Sequence, residues 1–89
     1  IPVLVDVWAP WCGPCRMMAP EFARAAGMLE PEMRLVKLNS EAEQQTAAML
    51  GIRGIPTLLL YRGGREVARQ SGAMDAASIA GWARAQLRD

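Results

Sequence analysis

Histidine is missing altogether from this 89-residue chain, and cysteine occurs only twice. No imidazole is available as a general base, a pH switch or a metal ligand. Two thiols without histidine also fall short of the four ligands a zinc ion takes. A small secreted domain stapled by disulfides would carry several cysteines, so their scarcity favours a reducing compartment while leaving an oxidising one open. Charge of one sign is lacking too. Ten basic and nine acidic residues leave a net charge of +1, which points to neither nucleic acid nor an anionic membrane as a partner. Long hydrophobic runs are absent: the apolar stretch at 58–61 is far below the roughly 20 residues that span a bilayer. No Gly-rich dinucleotide fingerprint and no internal repeat appears. What remains is the material for one soluble domain over residues 1–89, with 52% hydrophobic and 21% charged residues. The chain opens on Ile1-Pro2 directly before a strand and without an initiator Met, so further residues are expected upstream.

Apolar periodicity supplies the order of elements. Residues 3–8 (VLVDVW) are nearly continuous in apolar and β-branched side chains, the mark of a strand covered on both faces. A helix is expected over 14–29, with Met18, Phe22, Ala25 and Leu29 on one face, a kink at Pro20 and an end at Pro31. Residues 33–38 read as a second strand. Ser40-Glu41-Ala42-Glu43 has the form of a capping box opening a short helix that Gly51 closes. Strands at 57–61 and 66–70, joined at Gly63-Gly64, make an antiparallel hairpin, and Asp75 caps a last helix that turns Ile79, Trp82 and Leu87 inward. Trp8, Phe22, Trp82 and the six methionines are expected to fill the core. This order predicts an α/β fold, with a parallel first crossover and helices on both faces of one sheet.

Both cysteines lie in Trp11-Cys12-Gly13-Pro14-Cys15, where the first strand gives way to a helix. Two intervening residues hold the sulfurs close enough to bond and part again. The helix end offers N–H groups and a positive partial charge to a thiolate. Cys12 is the expected nucleophile, exposed and with a lowered pKa, and Cys15 the sheltered resolving thiol. No cation stands between them at Gly13-Pro14, which favours a reductant over an oxidant. Asp6 interrupts the apolar first strand, where an ionised carboxylate is costly. From the residues alone it could equally be a polar position on a part-exposed face. Lys37, the single lysine, could be a solvated charge at a sheet edge.

VDVWAPWCGPC at 5–15, VKLN at 36–39, GIRGIPTLLLYRGG at 51–64 and SGAM at 71–74 together resemble the thioredoxin family over nearly the whole chain. The resemblance implies a thioredoxin fold with a four-stranded mixed sheet flanked by helices on both faces. The family's additional N-terminal strand and helix are missing before Ile1, which would leave the second strand as an exposed sheet edge and part of one face uncovered. It also implies a general protein disulfide reductase acting through Cys12 and Cys15, with Asp6 as a buried general base for Cys15 and Lys37 tuning Asp6. Pro56 is implied to follow a cis peptide bond that brings the backbone of Ile55 beside Cys12. Trp11, Gly13, Pro14, Gly54, Ile55, Pro56, Gly72 and Ala73 would form the substrate platform, made more polar by Ser71. No cofactor would be bound directly. Electrons would come from NADPH through thioredoxin reductase, and the other partners would be disulfide-containing proteins met by a monomer in the cytoplasm. The Ala-Pro-Trp-Cys wording and the run at 39–43 are similar to a bacterial subgroup bearing an N-terminal zinc ribbon, so any zinc would lie upstream. A periplasmic thioredoxin-like reductant or isomerase, a non-catalytic binding module and a metal-linked redox sensor stay open as alternatives.

Overall fold

In the computed structural model, which describes residues 1–88, strand β1 (Val3–Trp8) is flanked on both sides. The sheet order is β2-β1-β3-β4, where β2 is Arg34–Asn39, β3 is Thr57–Arg62 and β4 is Arg65–Ser71. β1 runs parallel to β2 and antiparallel to β3, and β3 runs antiparallel to β4. Three helices complete the chain: α1 (Gly13–Leu29), α2 (Gln44–Met49) and α3 (Ala76–Gln86). This is the four-stranded mixed sheet of the expected α/β fold. The central place of β1 between two strands explains its apolar composition, but it is not covered on both faces as expected: Val3 and Val5, on the side away from Leu4 and Asp6, are only half-buried.

Side chains alternate between the two faces, and paired residues share a face. Leu4 pairs with Leu60 and Asp6 with Leu58, so these four point the same way. Leu4, Leu58 and Leu60 are fully buried against Met18, Phe22, Ala25 and Leu29 of α1 and Ile79, Ala80 and Ala83 of α3. The expected apolar stripe of α1 is thus the observed one. The helix continues as a single element through Pro20 and ends before the cis-bonded Pro31. Arg84 of α3 donates to the Met28 carbonyl at 2.9 Å, tying the two helices together near the end of α1.

The opposite face carries α2. Arg69 pairs with Leu59, so it points away from the Leu58–Leu60 side, and its guanidinium reaches the Leu50 carbonyl at 2.8 Å and the Gly51 carbonyl at 3.4 Å. Both Glu66 carboxylate oxygens hold that guanidinium in place. No residue of α2 is fully buried, and this clamp ties the end of the segment to the sheet. At the sheet's edge, Val36 of β2 stays exposed, as expected for an outer strand. The β3–β4 turn places Gly63 and Gly64 at φ +62° and +78°, a pair of left-handed residues that matches the twist of a two-residue hairpin.

Four expectations need correction. Ser40 does not open a capping box. Its hydroxyl donates instead to the Trp8 carbonyl at 2.9 Å, Asn39 Oδ1 accepts from the amides of Glu41 and Ala42, and α2 begins at Gln44 with no side-chain cap. The Trp8 carbonyl takes both the amide and the hydroxyl of Ser40, the Asn39 carbonyl takes the Glu43 amide that a capping box would have used, and the Asn39 side chain closes the turn. Trp82 and Leu87 are only half-buried, because α3 approaches α1 through the small residues Ala76, Ala80 and Ala83, with Ile79. Among the methionines, Met18 and Met33 fill the core, Met74 is half-buried, and Met17, Met28 and Met49 are exposed. The second strand also begins and ends one residue later than expected.

Candidate functional site

The first strand delivers the chain into Ala9-Pro10-Trp11, and the helix begins at once. The Cys12 amide donates back to the Ala9 carbonyl, closing that connector. Cys12 is the N-cap of α1 (φ −87°, ψ 111°), and its sulfur accepts the Cys15 N–H at 3.2 Å. An N-cap is normally an oxygen of Ser, Thr, Asp or Asn; here a sulfur takes that place. Cys12 and Cys15 form a disulfide, with their Cα atoms 5.2 Å apart. Both are nearly buried, at 5% and 2%, so the expected contrast between an exposed nucleophile and a sheltered partner is small in this oxidised form. The sulfurs sit in a small cluster with Ala9, Trp8 and Ile55.

Ile55 lies in the turn just before β3, whose start pairs with the end of β1. The Ile55–Pro56 bond is cis, as expected, and the Ile55 carbonyl oxygen lies 3.8 Å from Cys12 Sγ. Thr57 supports this turn from below: its hydroxyl donates to the Gly54 carbonyl and lies 3.0 Å from Ser71 Oγ. Ser71 and Thr57 are register partners on β4 and β3, a link the strand alternation could have shown in advance. The Ser71 hydroxyl is therefore turned toward Thr57 rather than left facing the platform.

Trp11 is 68% exposed, and Gly13, Pro14, Gly54, Gly72 and Ala73 are exposed around the disulfide, with Ile55 half-buried. Gly72 adopts φ +101°, a conformation closed to most other residues. Pro56 is fully buried, so it shapes this surface from beneath rather than adding to it. Beside Ile55 a shallow depression of about 310 Å³ separates α2 from the Gly54 turn.

Asp6 is 1% exposed, and neither carboxylate oxygen has a hydrogen-bond partner among the described residues. Burial pushes its pKa from 3.8 up to about 6, and the Lys37 ammonium pulls the other way. The two are register partners on β1 and β2, which places them on one face. Lys37 Nζ stands 4.7 Å from the centre of the Trp8 ring. Asp6 faces the side of the sheet that α1 covers, and Cys15 is the first buried residue of that helix. A carboxyl group poised near neutral pH on that side is suited to proton transfer.

No group of three or more His, Cys, Asp and Glu side chains placed to hold a metal exists among the described residues. No helix among them is long and apolar enough to cross a membrane.

The sequence model of the family described as Thioredoxin matches residues 1–85. Thioredoxin from Synechocystis sp. is 46% identical over 80 residues, covering 90% of this chain and 75% of that protein. Thioredoxin 1 from Nostoc sp. is 49% identical over 74 residues, covering 83% and 69%. Thioredoxin from Haemophilus influenzae is 46% identical over 80 residues, covering 90% and 75%.

Proposed function

The chain belongs to the thioredoxin family, and from that premise we propose that it reduces protein disulfides by dithiol–disulfide exchange at Cys12 and Cys15. The observation that carries this reading is the disulfide at the start of α1, with Cys12 sulfur accepting the Cys15 amide. The same N–H and the helix dipole stabilise a sulfur anion once the bond is reduced.

The reaction runs in two displacements. Cys12 thiolate attacks one sulfur of a substrate disulfide, giving a mixed disulfide and releasing the other sulfur as a thiolate. Asp6 takes the proton from Cys15, whose thiolate then attacks Cys12 Sγ. The Cys12–Cys15 disulfide forms, the substrate leaves as a dithiol, and two electrons have passed to it. The backbone of Ile55 supports an extended substrate segment beside Cys12. Trp11, Gly13, Pro14, Gly54, Gly72 and Ala73 receive its flanks, with Pro56 fixing the turn underneath. Lys37 restrains the Asp6 pKa so that the carboxyl both accepts and returns a proton near pH 6. The chain then needs re-reduction, for which the partner is thioredoxin reductase carrying electrons from NADPH. The absence of charge at Gly13-Pro14 and the few cysteines suit a reductant acting as a monomer in the cytoplasm.

The test is reduction of insulin by dithiothreitol, followed as turbidity, with and without the protein. Acceleration that disappears in Cys12→Ser supports the reading; an unaccelerated reaction rejects it. A titration against glutathione checks direction, since a midpoint as high as that of a strong oxidant would contradict a reductant.

A further inference from the structure

On the helix α1, Pro14, Met17 and Glu21 follow one another at three- and four-residue steps and so share a stripe, with Met18 along its buried border. Pro14 belongs to the surface around the disulfide. Met17, one turn on, is 74% exposed although it is a large apolar residue, while Met18 beside it is buried. Across from this stripe runs the segment Ala73-Met74-Asp75, which continues the same surface from Gly72 into helix α3. Between the two lies a depression of about 230 Å³, lined by Met17, Met18, Glu21, Ala73, Met74 and Asp75. Its walls are held by two carboxylates. Glu21 Oε1 accepts the Ala76 N–H at 3.0 Å, capping α3 from α1, and also pairs with Arg24. Asp75 caps the same helix by accepting the Ser78 N–H at 2.8 Å. Both polar groups of the lining are thus engaged by helix α3, and what faces the opening is thioether and methyl.

We propose that this methionine-lined depression is a specificity subsite that receives an apolar side chain of the polypeptide whose disulfide is being reduced. The inference rests on the disulfide-reductase reading and adds to it a rule for which substrates are preferred. Continuity with the disulfide surface identifies the occupant as part of that substrate, because one wall begins at Ala73 and the other lies one turn beyond Pro14. Methionine suits a site that must accept side chains of several shapes, being unbranched and polarizable. Five residues of helix separate Cys12 from Met17, roughly 7.5 Å along the axis. An extended peptide covers that in about two to three residues, so the favoured side chain stands that far from the attacked cysteine.

The experiment uses two synthetic peptides, each with one cysteine in a mixed disulfide with thionitrobenzoate. One carries leucine and the other asparagine at the second and third positions on both sides of that cysteine. The second-order rate of thionitrobenzoate release by the pre-reduced protein is measured for each. The leucine peptide is expected to react about tenfold faster, the scale of a modest apolar pocket. Met17→Glu should bring that ratio close to one, whereas Met49→Gln, at another exposed methionine, on α2, should leave it in place. Equal rates with the native chain, a ratio that survives Met17→Glu, or an equal fall in Met49→Gln would overturn the subsite while leaving the reductase reading intact. A dimer in sedimentation at the assay concentration, abolished by Met17→Glu, would overturn it in favour of a second copy as occupant. No release from either peptide would instead remove the reductase reading, and this inference with it.

Discussion

Replacing Asp6 with asparagine should make the protein more stable, by an amount that depends on pH in a defined way. The carboxyl is buried without a hydrogen-bond partner among the described residues, and its pKa stands at about 6 in the folded chain against 3.8 ordinarily. The folded protein therefore holds this proton more tightly than the unfolded chain does. Below pH 3.8 the group is neutral in both states and contributes nothing to the pH dependence. Between 3.8 and about 6 the unfolded chain ionises first, so stability falls as pH rises; above that both states are charged and the loss levels off. At about 1.36 kcal/mol for each tenfold change in proton affinity, the full loss is about 3 kcal/mol. Asparagine is neutral throughout. The gap between Asp6→Asn and the native chain should be only about 0.5 kcal/mol at pH 4, grow through pH 5 and 6, and reach about 3 kcal/mol at pH 8. For a domain of this size a urea slope of about 1 kcal/mol per molar turns that into a midpoint shift of roughly 3 M. Urea unfolding of the oxidised protein at five pH values, read by tryptophan fluorescence, measures it. Parallel stability curves for the two proteins across pH 4–8 would refute the argument that Asp6 is an uncompensated buried acid.

The remaining predictions concern the site and its supports. Cys15→Ser should accumulate a covalent adduct with insulin visible by intact mass, because the first displacement survives and the second cannot occur; no adduct should form with Cys12→Ser. Asp6→Asn should slow the resolution step more than the initial attack near neutral pH, and equal slowing of both would remove its role as base. Lys37→Met should raise the Asp6 pKa above about 6, since the ammonium is what lowers it; an unchanged midpoint in the carboxyl carbon shift by NMR would show no coupling. Arg69→Ala should release the carbonyls of Leu50 and Gly51 and make local opening of residues 44–52 easier by about 1 kcal/mol, a value kept small because the clamp is partly exposed. Hydrogen exchange in that segment should then run about fivefold faster, and unchanged protection there would contradict the clamp.

Where the chain obeys a single strong constraint, its sequence could be read directly. The apolar run of β1 had to be a strand flanked by others, and the stripe through Met18, Phe22, Ala25 and Leu29 had to face a core. Asp6 stood out in sequence because burial penalises it, which is also what shifts its pKa. Ser40 failed because the Glu43 amide that it would have capped donates to the Asn39 carbonyl, while its own hydroxyl donates to the Trp8 carbonyl, 32 residues away in sequence. Met17 and Met18 show a limit of composition as a guide to burial. Adjacent residues on a helix point about 100° apart, so only one of them could join the core, and naming both as filling ignored that turn. The Glu21 cap on α3 and the Arg69 clamp on α2 join elements far apart in sequence, and neither residue sits in a local motif that announces its partner.

The sulfur that closes the first turn of α1 puts durability and usefulness in competition at one atom. Serine or aspartate at position 12 would supply a harder, better-matched acceptor for the Cys15 amide and a firmer start to the helix. Such a chain would gain robustness and lose its chemistry. Residue 12 is thus a place where variants selected for heat resistance alone should drift toward silent proteins.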